Sequence, residues 1–197
     1  MVRKQLPELQ ESQVLVEEER RNTAPAITYA SHVIQKINPN ATIVVAPSDH
    51  LILKQDEFKE AILKGLDFAS KNNKLVTLGI KPNRPDTGYG YIQMDEEKEG
   101  DFYKVKTFIE KPAKEFAEIF IQSDEFYWNS GIFVWHVNSI LEAFHELMPD
   151  LCPRVECDQP DFASCPNISI DYSIMEKADN VYVLSLIHIS EPTRHLR

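Results

Sequence analysis

The sequence predicts an α/β domain built on parallel strands, and three observations carry that prediction. Over residues 41–80 the pattern runs strand, loop, helix, strand, the grammar of a crossover connection in an α/β sheet. The two strands, Thr42-Ile43-Val44-Val45-Ala46 and Leu75-Val76-Thr77-Leu78-Gly79-Ile80, are continuous apolar runs, the form taken by strands buried on both faces. The composition is that of a soluble globular chain: 197 residues, 43% hydrophobic and 26% charged. A chain of this length accommodates one domain and can remove about 70% of its unfolded surface from water.

The elements follow in order. A first helix is predicted from the Arg21-Asn22-Thr23-Ala24-Pro25 segment through Ile34, with Asn22 or Thr23 as cap and Pro25 in the first turn, where its missing N–H costs nothing. Asn38-Pro39-Asn40 turns the chain into the Thr42 strand, which Pro47 ends. Over residues 56–70, Phe58, Ile62, Gly65, Leu66 and Ala69 recur at helical spacing with charged residues between them, and Asp56 reads as the N-cap. Asn72-Asn73 breaks that helix before the Leu75 strand. A ribbon joins 90–94 to 103–109 through a turn at Gly100-Asp101; a helix over 112–122, a strand over 131–135 and a helix over 139–147 follow. Residues 151–167 are Pro-rich and loop-like and hold Cys152, Cys157 and Cys165. Their odd count and lack of a CxxC pair read as reduced structural thiols rather than a zinc site. His32, His136 and His145 fall in predicted helix or strand and read as structural.

Charge narrows the function. Lys+Arg number 21 and Asp+Glu 31, a net −10, which argues against a nucleic-acid or anionic-membrane surface. A small anionic ligand held by a few local cations remains compatible. No run approaches the ~20 apolar residues of a membrane-spanning helix, and Met1-Val2-Arg3-Lys4 opens no signal-peptide core. The expected location is cytoplasmic.

Four segments can carry chemistry. Pro47-Ser48-Asp49-His50 follows a strand, the end at which ligands gather in open α/β sheets; Asp49 can hold a divalent cation against phosphate oxygens, or simply cap a turn. Thr87-Gly88-Tyr89-Gly90-Tyr91 allows close backbone approach to a ligand, and equally makes a loop-to-strand transition. Phe108-Ile109-Glu110-Lys111-Pro112 sets an acceptor for sugar-type hydroxyls beside a phosphate-binding point charge, or a solvated surface pair. In Trp128-Asn129-Ser130-Gly131 an amide entering a buried strand can orient a hydroxylated ligand, or Trp128 can pack over a plain turn.

The order of these motifs, together with Arg21-Asn22-Thr23-Ala24-Pro25-Ala26 before them and Ser169-Ile170-Asp171-Tyr172-Ser173-Ile174-Met175-Glu176-Lys177 after, resembles the mannose-1-phosphate guanylyltransferases over about residues 2–184. The resemblance implies a Rossmann-like nucleotide-diphospho-sugar transferase fold, a mixed, mainly parallel sheet with flanking helices. It implies that GMP passes from GTP to mannose 1-phosphate with Mg²⁺ offsetting charge, giving GDP-mannose and pyrophosphate. It casts Asn22, Thr23 and Ala24 as part of the guanosine-side pocket, Asp49 as a catalytic Mg²⁺ ligand, and Gly90, with Gly88 in the same loop, as facing the sugar. Glu110 and Asn129 would bind mannose hydroxyls, and Lys111 the sugar phosphate. The 169–177 segment would close the site, with Asp171 either a helix N-terminal residue or a ligand contact.

The same resemblance sets expectations for the ends. The family's Gly-rich triphosphate loop has no counterpart here, Glu18 stands where a proline is usual, and the second metal carboxylate is missing after Leu184. Residues 1–184 therefore read as a partial nucleotidyltransferase domain incomplete at both ends and expected to be inactive alone. Residues 185–197 read as a non-native tail, because 186–194 resemble translated sequencing-adapter sequence. An open sheet edge is expected where a first strand is missing. The resemblance leaves room for a homo-oligomer in a full-length enzyme and for a C-terminal isomerase region. The competing readings are a nucleotidyltransferase for another sugar 1-phosphate, such as that of glucose or a heptose, and a non-catalytic sugar-nucleotide-binding module of the same fold.

Overall fold

The computed structural model describes residues 2–123 and 125–186. Its elements are α1 (Val2–Gln5), α2 (Thr23–Ile37), β1 (Thr42–Val45), α3 (Gln55–Lys71), β2 (Leu75–Ile80), β3 (Tyr91–Glu99), β4 (Phe102–Ile109), α4 (Lys114–Phe120), β5 (Phe126–His136), α5 (Val137–Leu147), α6 (Cys152–Val155) and β6 (Val181–Leu186). 3₁₀ turns occupy Glu11–Gln13 and Phe162–Ser164, and a π-helical turn Asp171–Met175.

The strands form one sheet in the order β1-β5-β2-β6-β4-β3, with β3 also reaching β5. Side chains alternate between its faces, as the pleat requires. From β2 and β6, Leu75, Val181 and Val183 join Phe133, Trp135 and the buried faces of α2 and α5 in one core. Val76, Leu78, Tyr182 and Leu184 join Trp128, Val134 and Ala61 and Ala69 of α3 in the other. The architecture is therefore three-layered, helices on both sides of a mixed sheet. Among the described residues no helix is long and apolar enough to cross a membrane.

The expectation of mainly parallel pairing needs correction. β2 and β6 are parallel, and the other five described pairings are antiparallel. The cause is strand order: β5 lies between β1 and β2 and runs against both. β1 and β2 therefore share a direction through their α3 crossover without touching. β1 is likewise not buried on both faces; among the described residues it pairs with β5 alone, and Val44 is 39% exposed.

Helix ends depart modestly from expectation. Asn22 caps α2, its carboxamide oxygen accepting from Thr23 N–H. Asp56 is not the cap of α3: Lys54 holds that position, while Asp56 and Glu57 lie in the first turn, where carboxylates favour the positive end of the helix dipole. β5 starts five residues before the predicted strand because it continues through Gly131, whose φ of 71° suits a residue without a Cβ. Ser185 and Leu186, the first two residues of the expected tail, lie in β6: Leu186 is opposite Ile80, buried on the face that carries Tyr182 and Leu184. The remainder of that tail, 187–197, lies outside the described residues. Cys152, Cys157 and Cys165 are free thiols, Cys152 and Cys165 buried. Burial pushes the Cys152 thiol up to about 12 and raises Cys165 as well.

Candidate active site

β5 serves two neighbours in succession, and the site forms where it changes from one to the other. Its first part pairs with β3, Tyr91 opposite Trp128, and its last part with β1, Thr42 opposite His136. Asn129-Ser130-Gly131 lies between them. Asn129 is buried, and its polar groups are fixed one by one. Its N–H donates to Gly90 O at 2.8 Å. Its Oδ1 accepts from Thr77 Oγ1 and from Gly131 N–H, both at 3.1 Å, and its Nδ2 donates to Asp171 Oδ1 at 2.9 Å. A backbone N–H can only donate, so the bond from Gly131 sets which end of the amide is oxygen.

Around this amide is a cavity of ≈ 70 Å³ whose walls include Pro47, His50, Gly88, Gly90, Glu110, Asn129 and Asp171. Gly90 is what lets Glu110 enter: a Cβ at Gly90 would lie 2.6 Å from Glu110 Oε2 and 3.5 Å from Asn129 Cβ. The Glu110 side chain is 10% exposed, and its Oε1 lies 3.0 Å from Lys111 Nζ, which reaches outward at 53% exposure. Lys111 has φ 49°, a left-handed conformation that costs a residue with a Cβ about 1–2 kcal/mol.

The cavity is acidic. Burial, and then the neighbouring Glu110 carboxylate, push Asp171 up to about 6 against the opposing bond from Asn129. Burial also raises Glu176, whose carboxylate feels Glu110 as well. Two carboxylates and an amide around so small a space suit a ligand rich in hydroxyl donors, with the Lys111 ammonium beside Glu110 for an anionic substituent.

The loop leading into β3 is held in place by its own residues. Asp86 Oδ1 accepts from Gly88 N–H at 2.8 Å, Tyr91 OH donates to Asp86 O at 3.0 Å, and the Arg84 guanidinium lies 5.1 Å over the Trp128 ring. The start of α2 is tied to the other wall. Thr23 Oγ1 accepts from Ile170 N–H at 2.9 Å and Ala24 N–H donates to Ile168 O at 3.1 Å. Thus Asn22 and Thr23, exposed, and Ala24, fully buried, reach the cavity only through the residues preceding Asp171. Asn22 has φ 66° and ψ −163°, a region nearly restricted to glycine and found at functional sites. Among the described residues, Asn22 and Lys111 are the non-glycine positions with positive φ.

The structure therefore gathers Gly88, Gly90, Glu110 and Asn129 around one cavity; Lys111 is not in its lining but meets it through Glu110, its Nζ 3.0 Å from Glu110 Oε1. Asp49 does not line it; it is exposed in the turn after β1, while its neighbours Pro47 and His50 do. Three contributors were not identified as site residues from the sequence: Thr77, which orients the amide, His50, read as a turn residue, and Asp171, left open between a capping and a ligand role. A polar threonine inside the apolar β2 run was the available signal for the first.

Comparison with known proteins gives the family. The profile of the family described as nucleotidyl transferase matches residues 1–165. A mannose-1-phosphate guanylyltransferase of Escherichia coli is 36% identical over 196 residues, covering 89% of this chain and 42% of its own length. The chain thus spans less than half the length of that curated relative. A Thermus thermophilus structure described as mannose-1-phosphate geranyltransferase superposes with a TM-score of 0.79 at 31% identity, covering 88% of this chain and 52% of its own. One from Helicobacter pylori, described as mannose-6-phosphate isomerase, gives 0.75 at 28% identity, covering 89% and 73%.

Proposed function

This chain belongs to the nucleotidyl transferase family, and we propose that it carries the sugar-phosphate side of a site that transfers GMP from GTP to mannose 1-phosphate, releasing pyrophosphate. The observation that supports this reading most is the convergence of Glu110, Asn129 and Asp171 on one small cavity with Lys111 beside Glu110. Mannose hydroxyls would donate to the Glu110 and Asp171 carboxylates and accept from the amide of Asn129. Lys111, charged and extended toward solvent, would receive the phosphate.

In the reaction a sugar-phosphate oxygen bonds to the α-phosphorus of GTP while the bond to the β-phosphate oxygen breaks, and pyrophosphate leaves with that electron pair. The attacking oxygen is already anionic, so no side chain has to take its proton. The residues act by holding it in line and by balancing charge. Asp49 fits a hard divalent cation: it is an exposed carboxylate in the turn whose Pro47 and His50 line the cavity, and Mg²⁺ is commonly held by one or two carboxylates plus substrate phosphates. Mg²⁺, when bound, supplies neutralisation of phosphate charge. On this reading Asn22 and Thr23 face the guanosine, and a cytoplasmic location goes with the two substrates.

Isothermal titration of the full 197-residue chain tests the reading. Mannose 1-phosphate with Mg²⁺ is expected to bind at one site, glucose 1-phosphate more weakly, and Gly90→Ala to abolish the mannose 1-phosphate signal by displacing Glu110. Equal affinity for the two sugars would transfer the reading to another sugar 1-phosphate. Absence of binding by both mannose 1-phosphate and GTP would overturn it.

A further inference from the structure

Behind the sheet face that carries α5, three side chains of different chemistry meet within one short stretch of chain. His145 lies in the last turn of α5, Cys152 opens α6, and Glu156 caps that helix, its N–H donating to Cys152 O at 2.8 Å. Between the helices, Met148 N–H donates to Phe144 O and Leu151 N–H to Met148 O, folding the linker so that α6 returns beneath the end of α5. One ligand atom from each of the three residues lies within 4.8 Å of the other two, and His145 Nε2 is 2.8 Å from Glu156 Oε2.

We propose that His145, Cys152 and Glu156 form a binding site for a zinc-type divalent cation, separate from the sugar-phosphate cavity and requiring none of its residues. Geometry is the first support. Zinc bonds of about 2.0–2.3 Å in a tetrahedral arrangement set ligand atoms roughly 3.3–3.6 Å apart, and the three atoms here already lie within 4.8 Å of one another. Small side-chain shifts suffice, and the exposed His145 ring gives the ion a way in. The second support is independent of those distances. Glu156 Oε1 is shut off from solvent and has no hydrogen-bond partner among the described residues, an arrangement that normally carries a desolvation penalty. A cation, or a water bound to one, would satisfy that oxygen.

The donor set also selects the ion. Sulfur, imidazole nitrogen and one carboxylate suit Zn²⁺, whereas Mg²⁺ and Ca²⁺ take oxygen ligands. Magnesium serving phosphoryl transfer would therefore not compete for this position. Binding exchanges the Cys152 thiol proton, released to solvent, for a metal–thiolate bond. The three protein ligands leave a fourth position for water on the exposed side. The bound ion would clip α6 to the end of α5, the helix that packs against the turn bearing Asp171. The sequence conceals the site because its ligands are of mixed type: the cysteine spacings alone match no zinc pair, and His145 reads as structural.

Titration of the metal-free full chain with Co²⁺ tests the assignment by spectroscopy rather than activity. One equivalent is expected to produce a thiolate-to-cobalt charge-transfer band and tetrahedral d–d bands, both displaced by Zn²⁺. Cys152→Ser should remove the charge-transfer band, and Cys157→Ser and Cys165→Ser should keep it. His145→Ala, at an exposed position, should weaken Co²⁺ binding by about tenfold or more. A missing charge-transfer band, a band that survives Cys152→Ser, or unchanged affinity in His145→Ala would each overturn the proposal.

Discussion

Lys111 is held at φ 49° immediately before Pro112, a position where proline pushes its predecessor toward extended backbone. A glycine would adopt the left-handed conformation without the steric cost, although it would lose more entropy on folding. The expected outcome for Lys111→Gly is a stability unchanged or raised by up to about 1 kcal/mol, since the strain of about 1–2 kcal/mol outweighs that entropy. Affinity for mannose 1-phosphate should meanwhile fall about tenfold or more through loss of a charged contact. Urea unfolding and calorimetric titration on the same sample separate the two effects. Asp171 gives a prediction with the opposite chemistry. Its folded value of about 6 lies above the ordinary carboxyl value, so between about pH 4 and 6 the folded chain keeps a proton that the unfolded chain has released. The stabilising advantage is complete below the unfolded value and is lost as pH rises through 6. Asp171→Asn removes the buried charge, and should raise the thermal midpoint at pH 7.5 by an amount worth about 3 kcal/mol while leaving it nearly unchanged at pH 4. Equal shifts at both pH values would refute the linkage. At this scale the sequence was most informative where the backbone is unusual: Asn22 and Lys111, singled out by motif, hold positive φ. It was least informative for Thr77 and Asp171, whose roles depend on which strand and which turn come to lie beside Asn129.

The strands were legible as elements and not as neighbours. Leu75–Ile80 is bounded as expected because its apolar run ends against Asn and Pro-containing segments, a local signal. The insertion of β5 between β1 and β2 depends on pairing residues from 48 to 94 positions apart, from Ile80 with Trp128 to Thr42 with His136, which no local pattern encodes. The same insertion explains Gly79. β2 is flanked by β5 on one side and β6 on the other, and its register against β5 shifts between Thr77 and Gly79. A Cβ at Gly79 would lie 2.7 Å from Val183 Cγ2 and 3.1 Å from Tyr127 Cβ. Val183 could turn, but Tyr127 Cβ is fixed to the backbone of β5, so the sheet itself would have to give. Gly79→Ala is expected to destabilise by about 1–3 kcal/mol, the usual cost of overpacking, as a lower urea midpoint with an unchanged slope. Because Thr77 lies two residues away on the same strand, the variant should also weaken sugar-phosphate binding; a stable variant with normal binding would show that the sheet yields there more easily than the contacts imply.

Across the whole molecule, charge and sheet geometry act against each other. β1 pairs with β5 on one side and, among the described residues, with no strand on the other. Its four residues, Thr42-Ile43-Val44-Val45, carry no charge, and Val44 is 39% exposed. Uncharged strand edges of this kind recruit a second edge, and natural proteins guard them with short length or with charges, lysine above all. β1 has the first protection without the second. What remains is the net charge of −10, which keeps copies apart at low ionic strength. That protection fades with salt, since the screening length falls from about 30 Å at 0.01 M to about 8 Å at 0.15 M, while backbone pairing and apolar contact are not screened. Self-association should therefore increase with ionic strength, the reverse of a contact made by opposite charges. Val44→Lys places a cation on the edge at a side chain already reaching solvent, and it lowers the net negative charge by one. A purely electrostatic account therefore predicts slightly more association in the variant, whereas edge pairing predicts less. Light scattering across a salt series distinguishes them: the expected result is an apparent mass that climbs with salt in the parent chain and stays flat in Val44→Lys, and a variant that climbs as steeply would remove β1 as the contact.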